Sequence, residues 1–92
     1  MSYKVVISPE FQEHIAQHAR AGRKPLIKKI DSLMPELANN PRSGTGKPEQ
    51  LRHMEGEVWS RRIDSKHRLI YEIIEDELVV IAVSAYGHYG DK

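Results

Sequence analysis

The residues with chemistry to offer are gathered in one stretch, residues 46–71, reading GKPEQLRHMEGEVWSRRIDSKHRLIY. It holds the carboxylate Glu49 behind a Gly-Lys-Pro turn, four arginines (Arg52, Arg61, Arg62, Arg68), His53, His67 and the only tryptophan, Trp59. Arginines set among β-branched and aromatic residues at a period of two belong to strands. An arginine inside a strand points to a sheet face that meets something anionic, because the guanidinium fork matches carboxylate and phosphate oxygens.

Strand periodicity sorts these side chains. From His67, the residues His67, Leu69, Tyr71 and Ile73 share one face, and Arg68, Ile70 and Glu72 share the other. The first set suits the face under helices, which leaves Arg68 on the open face. Its plain alternative is a cross-strand ion pair. In residues 58–63, Trp59, Arg61 and Ile63 alternate with Val58, Ser60 and Arg62, so only one of the two arginines can join Arg68. Trp59 reads as core rather than as a platform for stacking bases. Glu49 is an exposed turn carboxylate that gains a role only if the strand order brings it near Arg68. His88 and Tyr89, in the terminal YGHYGDK, read by themselves as a frayed end. His14 and His18 have i, i+4 spacing, but no third metal ligand accompanies them.

The elements that position these residues follow from pattern. Residues 3–7 (YKVVI) form a first strand, and Ser8-Pro9 supplies an N-cap and a first helical position. Phe11, Ile15 and Ala19 make one apolar stripe of a helix that runs to about Ala21, where Gly22 stops it. Leu26, Ile30, Leu33 and Leu37 mark a second helix. Pro35 predicts a kink there, or an end near Met34, since proline cannot bond back to Asp31. After a loop over residues 40–50, strands are expected at 50–54, 58–63, 67–75 and 77–86. Their short connections favour an antiparallel meander. The last of them, nearly all apolar, should be central or covered on both faces. The expected fold is α+β, one domain over residues 1–92 in the order β-α-α-β-β-β-β. A two-helix hairpin packs on one face of a twisted, mainly antiparallel sheet.

Composition narrows the class. At 92 residues, 39% hydrophobic and 29% charged, the chain suits one globular domain with a modest core. The net charge is only +1, yet residues 42–68 carry seven Lys/Arg against four Asp/Glu, a local excess of +3. Such a patch focuses binding on one face. The absence of cysteine excludes disulfides and thiolate chemistry. The apolar run at the N-terminus is too short for a signal peptide, and nothing approaches ~20 apolar residues, so a cytoplasmic protein without a membrane partner is expected.

GKPEQLRH, then WSRRIDSKHRLIYEI, then a terminal GHY together resemble the YoeB/Txe branch of the RelE/ParE toxin superfamily. The likeness spans nearly the whole chain, with three motifs in order. It implies the toxin of a bacterial type II toxin–antitoxin pair, a ribosome-dependent mRNA endoribonuclease. By this resemblance Glu49 is the general base, Arg68 stabilises the phosphorane-like transition state, and His88, beside Tyr89, is the general acid. Lys47, Arg52, His53 and Arg62 fall on basic positions for RNA placement. The expected partners are a YefM-like antitoxin whose C-terminal segment covers the active site, the ribosome with its mRNA, and a second copy in a homodimer. Pro35 and the Gly90-Asp91-Lys92 tail depart from the family pattern.

These residue types suit RNA cleavage without metal or cofactor. RNA brings its own nucleophile, the 2′-hydroxyl. What remains is a base for that proton, a cation for the crowded phosphate and an acid for the leaving 5′-oxygen. The rival reading is a non-catalytic binding module like the ParE relatives that act on DNA gyrase, since one fold hosts both.

Overall fold

The computed structural model describes residues 2–87. The chain folds into β1 (Lys4–Ile7), α1 (Pro9–Arg20), α2 (Lys24–Asn39), β2 (Glu49–Gln50), β3 (Glu57–Arg62), β4 (Arg68–Ile74) and β5 (Val79–Ser84). Strands lie in the order β1-β5-β4-β3-β2; β2 to β5 form the antiparallel meander, and β1 pairs in parallel with β5. β5 is therefore interior to the sheet, as its apolar composition requires.

Local chemistry accounts for the helices. Ser8 has extended backbone angles, its Oγ accepts from the Phe11 N–H at 3.0 Å, and Pro9 opens α1. The same Oγ donates to the Val83 carbonyl at 2.7 Å, which ties the start of α1 to β5. Gly22, at φ +73°, turns the chain into α2 through a conformation that costs glycine little. Phe11, Leu26, Ile30, Leu33 and Leu37 then pack on Leu69, Tyr71, Ile73, Val80 and Ala82. The helices thus cover the sheet face that strand periodicity assigns to Leu69 and Tyr71.

Several boundaries differ from expectation, for identifiable reasons. Pro35 neither ends α2 nor splits it; the helix runs on to Asn39. Pro35 and Asp31 both lie on its exposed side, while Leu33 and Leu37 are fully buried on the other, so packing carries the helix across one missing bond. Asn39 Nδ2 also donates to the Pro35 carbonyl at 2.9 Å. The strand expected at residues 50–54 is only Glu49–Gln50, because the chain turns after Leu51 and passes Gly56 at φ +78°. The expected strand over 77–86 starts late. A 3₁₀ turn over Glu75–Glu77 and a left-handed Leu78 (φ +53°) intervene, with Glu75 drawn onto Tyr3 and Arg42 at 2.7 and 2.9 Å. Trp59 is half-buried against the core and donates Nε1–H to Glu57 at 3.0 Å. Among the described residues no helix is long and apolar enough to cross a membrane.

Candidate active site

Strand register builds the site. Glu49 on β2 pairs with Ser60 on β3, and Arg62 on β3 pairs with Arg68 on β4. Ser60, Arg62 and Arg68 consequently share the face turned away from the helices. Arg68 Nη1 donates to Ser60 Oγ at 3.3 Å and stands 3.9 Å from Glu49 Oε1. The Arg68 side chain is 23% exposed and that of Glu49 70%, so a recessed cation faces a carboxylate that is mostly in water. At that separation and exposure the mutual attraction is weak. Both groups keep hydrogen-bonding capacity for a third party. Arg62, Lys47, Arg52 and His53 are all exposed, with Arg62 across the register from Arg68 and Lys47 two residues before Glu49.

Glu49 owes its place to a loop anchored from beneath by Arg61. Arg61 is fully buried on the helix side of β3. Its guanidinium donates to Glu36 (2.7 Å), Tyr71 Oη (3.1 Å) and the carbonyls of Asn40 (2.7 Å), Ser43 (2.7 Å) and Thr45 (3.0 Å). Every N–H of the fork is used. Glu36 is held below its ordinary carboxylate range, first by the Thr45 N–H at 2.7 Å and then by the Thr45 hydroxyl and Arg61. Burial pushes the Tyr71 hydroxyl upward, and it donates to Pro41 O at 2.6 Å. The loop then passes Gly46 at φ +87°, whose carbonyl accepts from Arg62 N at 2.7 Å. A Cβ on Gly46 would meet the Arg62 carbonyl at 2.9 Å, so glycine is required there. Lys47 and Pro48 follow, and then Glu49. Sequence patterning separates Arg61 from Arg62 but carries no signal for this role; it arises from carbonyls distant in the chain.

The far side of the site is the chain leaving β5. Arg68 N donates to the Gly87 carbonyl at 3.0 Å, so the residue before His88 is bonded to the backbone of Arg68. His88 and Tyr89 themselves, and the expected reach from Glu49 to His88, lie outside the described residues. His14 and His18 do not form half a metal site. Their rings meet Ala85, with the Ala85 N–H on His14 Nδ1 at 3.0 Å and His18 Nε2 on the Ala85 carbonyl at 2.9 Å. Among the described residues no group of three or more His, Asp or Glu side chains is placed to hold a metal ion. Asp64 shapes the β3–β4 turn. Burial pushes its carboxyl up, but the N–H groups of Lys66 and His67, at 2.8 and 2.7 Å, outweigh that and hold it low.

A helix hairpin covers one face of a small sheet, and the other face carries Arg62, Arg68 and the carboxylates Glu49 and Glu72. The match to known proteins gives the family. Residues 8–89 match the family model described as the YoeB-like toxin of bacterial type II toxin–antitoxin systems. The Toxin YoeB of Streptomyces coelicolor is 42% identical over 77 residues, covering 84% of this chain and 88% of that one. Among solved structures, the YoeB/ParE toxin of Agrobacterium tumefaciens superposes with a TM-score of 0.82 at 29% identity, covering 94% of this chain and 99% of that one. YoeB of Staphylococcus aureus, solved as a dimer, gives 0.78 at 31% identity, with 95% and 98% covered. In its heterotetrameric complex with YefM it gives 0.75 at 30%, with the same coverage. The chain belongs to the YoeB-like toxin family, and is the toxin of a type II toxin–antitoxin system.

Proposed function

We propose that this toxin is a ribosome-dependent mRNA endoribonuclease that uses Glu49, Arg68, His88 and Tyr89 without a metal ion. The observation that carries the reading is the cross-sheet relation of Arg68 and Glu49, 3.9 Å apart, with the Gly87 carbonyl on the Arg68 backbone N–H. Glu49 takes the proton from the 2′-hydroxyl. The 2′-oxygen attacks phosphorus while the P–O5′ bond breaks. Arg68 neutralises charge that grows on the phosphoryl oxygens, an interaction strongest in the transition state. His88 delivers a proton to the leaving 5′-oxygen, so the products are a 2′,3′-cyclic phosphate and a 5′-hydroxyl. Lys47, Arg52, His53 and Arg62 hold the flanking phosphates.

The exposure of Glu49 supports a reaction that needs the ribosome. Glu49 lies largely in water, and water exclusion by a bound macromolecular surface strengthens every charge in the site. The protein therefore acts in the cytoplasm, on translated mRNA. Like the S. aureus relative, it pairs with a YefM-like antitoxin and with a second copy of itself. The local positive excess matches carboxylates supplied by the antitoxin, and the complex should weaken with salt where those pairs lie on the rim.

The test is single-turnover cleavage of mRNA on programmed ribosomes, beside the same RNA alone, with mapping of the cut ends. Cleavage on the ribosome with cyclic-phosphate ends is the expected result. Growth arrest with no RNA cleavage would move the assignment to the gyrase-binding reading.

A further inference from the structure

Val6 and Ile7 on the edge strand β1 are exposed, and the groove between the helix ends is apolar, but nothing says what covers either. A different feature carries further. Three histidines, two from α1 and one from the turn between β3 and β4, converge on residues 85–87, the segment that leads directly into His88. His14 Nδ1 accepts the Ala85 N–H at 3.0 Å, and His67 Nδ1 accepts the Gly87 N–H at 2.9 Å. His18, fully buried, takes the Arg23 guanidinium on Nδ1 at 3.1 Å and so must donate from Nε2 to the Ala85 carbonyl at 2.9 Å. Arginine has no acceptor, and a backbone N–H can only donate. All three contacts therefore require a free lone pair on Nδ1. Tyr86 lies among the three rings: stacked on His18 at 5.0 Å, edge-on to His67 at 4.8 Å and tilted against His14 at 5.6 Å.

We infer that His14, His18 and His67 are positioning residues that hold residues 85–87 against Arg68, and that protonation of His14 or His67 releases this segment. Resting on the nuclease reading, this ties the segment that precedes His88 in the chain to neutral imidazoles elsewhere in the fold. A proton on Nδ1 of His14 or His67 would set N–H against N–H, and on His18 it would meet the guanidinium. The charged and titratable groups that face these rings are Glu10, 3.8 Å from His14 Nε2, Asp64 beside His67, and Arg23 on His18, which also lies over the Tyr86 ring at 5.8 Å. The rings of His18 and His67 stand 4.8 Å apart. Free imidazole titrates near pH 6.5, so release would add an acid limb that the asparagine variants lack.

Asparagine separates holding from titrating, because its Oδ1 can replace an Nδ1 acceptor and binds no proton. Two readouts are needed on wild type, His67→Ala, His67→Asn and His14→Asn, with circular dichroism to confirm folding. The first is amide exchange at Ala85 and Gly87, corrected for intrinsic rates, which involves no RNA. Protection of Gly87 should fall about tenfold between roughly pH 7.5 and 5.5 in wild type, the loss of one hydrogen bond. It should stay level in His67→Asn, while Ala85 behaves likewise in His14→Asn. The second is single-turnover cleavage on programmed ribosomes. His67→Ala should lose about 10- to 100-fold in rate with ribosome affinity unchanged. His67→Asn should recover most of that rate and extend it to lower pH. Gly87 protection that ignores pH in wild type, or survives His67→Ala, would overturn the inference. So would an acid limb identical in wild type and both asparagine variants. Protection that behaves as expected while wild type cleaves no RNA would remove the nuclease reading and leave the holding role in place.

Discussion

Arg61 Nη1 donates to Glu36 Oε1 at 2.7 Å from a guanidinium with no exposed surface, and that one contact joins α2 to the strand carrying the open-face cations. Around it the same fork closes the carbonyls of Asn40, Ser43 and Thr45. Arg61→Met should therefore strand three carbonyls and a carboxylate at once. A loss of about 3–5 kcal/mol in urea unfolding is expected. Arg61→Lys should recover less than half, since one ammonium cannot reproduce the fork. Wild-type stability in Arg61→Met would show that the loop holds itself.

Acid should loosen the same region. Glu36 is held low chiefly by Thr45 N–H, and Glu57 chiefly by its bidentate pair with Arg42 at 2.6 and 2.9 Å. Because the folded values lie below the unfolded ones, the unfolded chain binds more protons in acid. Their contribution is complete above the ordinary value of 4.5 and drains away as pH falls through the depressed folded values. Glu36→Gln should be less stable at pH 7 and show a shallower acid slope, measured by urea unfolding at stepped pH. Parallel curves for the two proteins would refute the linkage.

On the proposed mechanism the open face separates chemistry from grip. Glu49→Gln keeps shape and loses the proposed base, and should slow single-turnover cleavage by roughly 10²–10⁴-fold. Arg68→Ala should reduce the rate far more than ribosome affinity, whereas Arg62→Ala, exposed and across the register from Arg68, should chiefly weaken binding. Folded Glu49→Gln and Arg68→Ala that both cleave at the wild-type rate would end the assignment of these residues.

Pro35 offers a test of how α2 survives it. Pro35→Ala restores an N–H toward Asp31 on the exposed side of a helix that is already formed. Stability should rise by about 1–2 kcal/mol, less than the full proline penalty of about 3 kcal/mol, because the unfolded chain regains freedom. Thermal unfolding of the two proteins decides it, and an unchanged midpoint would mean that the helix bends locally to absorb the ring.

Much of this molecule was legible in the chain alone. Period-two alternation in RLIYEII determined that Arg68 and Leu69 face opposite sides of the sheet, and the same arithmetic allowed only one of Arg61 and Arg62 to reach the open face. Ser8-Pro9 and Gly22 marked the helix ends because capping is local chemistry. The motif order carried the family, since its residues are consecutive within each motif.

Tertiary structure decided what depends on distance. Whether Pro35 ended a helix turned on Leu33 and Leu37 being buried, a fact of packing and not of propensity. Arg61 became an anchor only because strand β3 ran beneath carbonyls some twenty residues upstream. Glu49 came within 3.9 Å of Arg68 only because β2 pairs with β3 and sets it across Ser60. The histidines are the clearest case. His14 and His18 share a helix face at a spacing that suits a metal, yet the backbone groups they serve, at Ala85, arrive from the opposite end of the chain. Spacing along a helix reports which side chains are neighbours, and only the closed fold reports what stands in front of them.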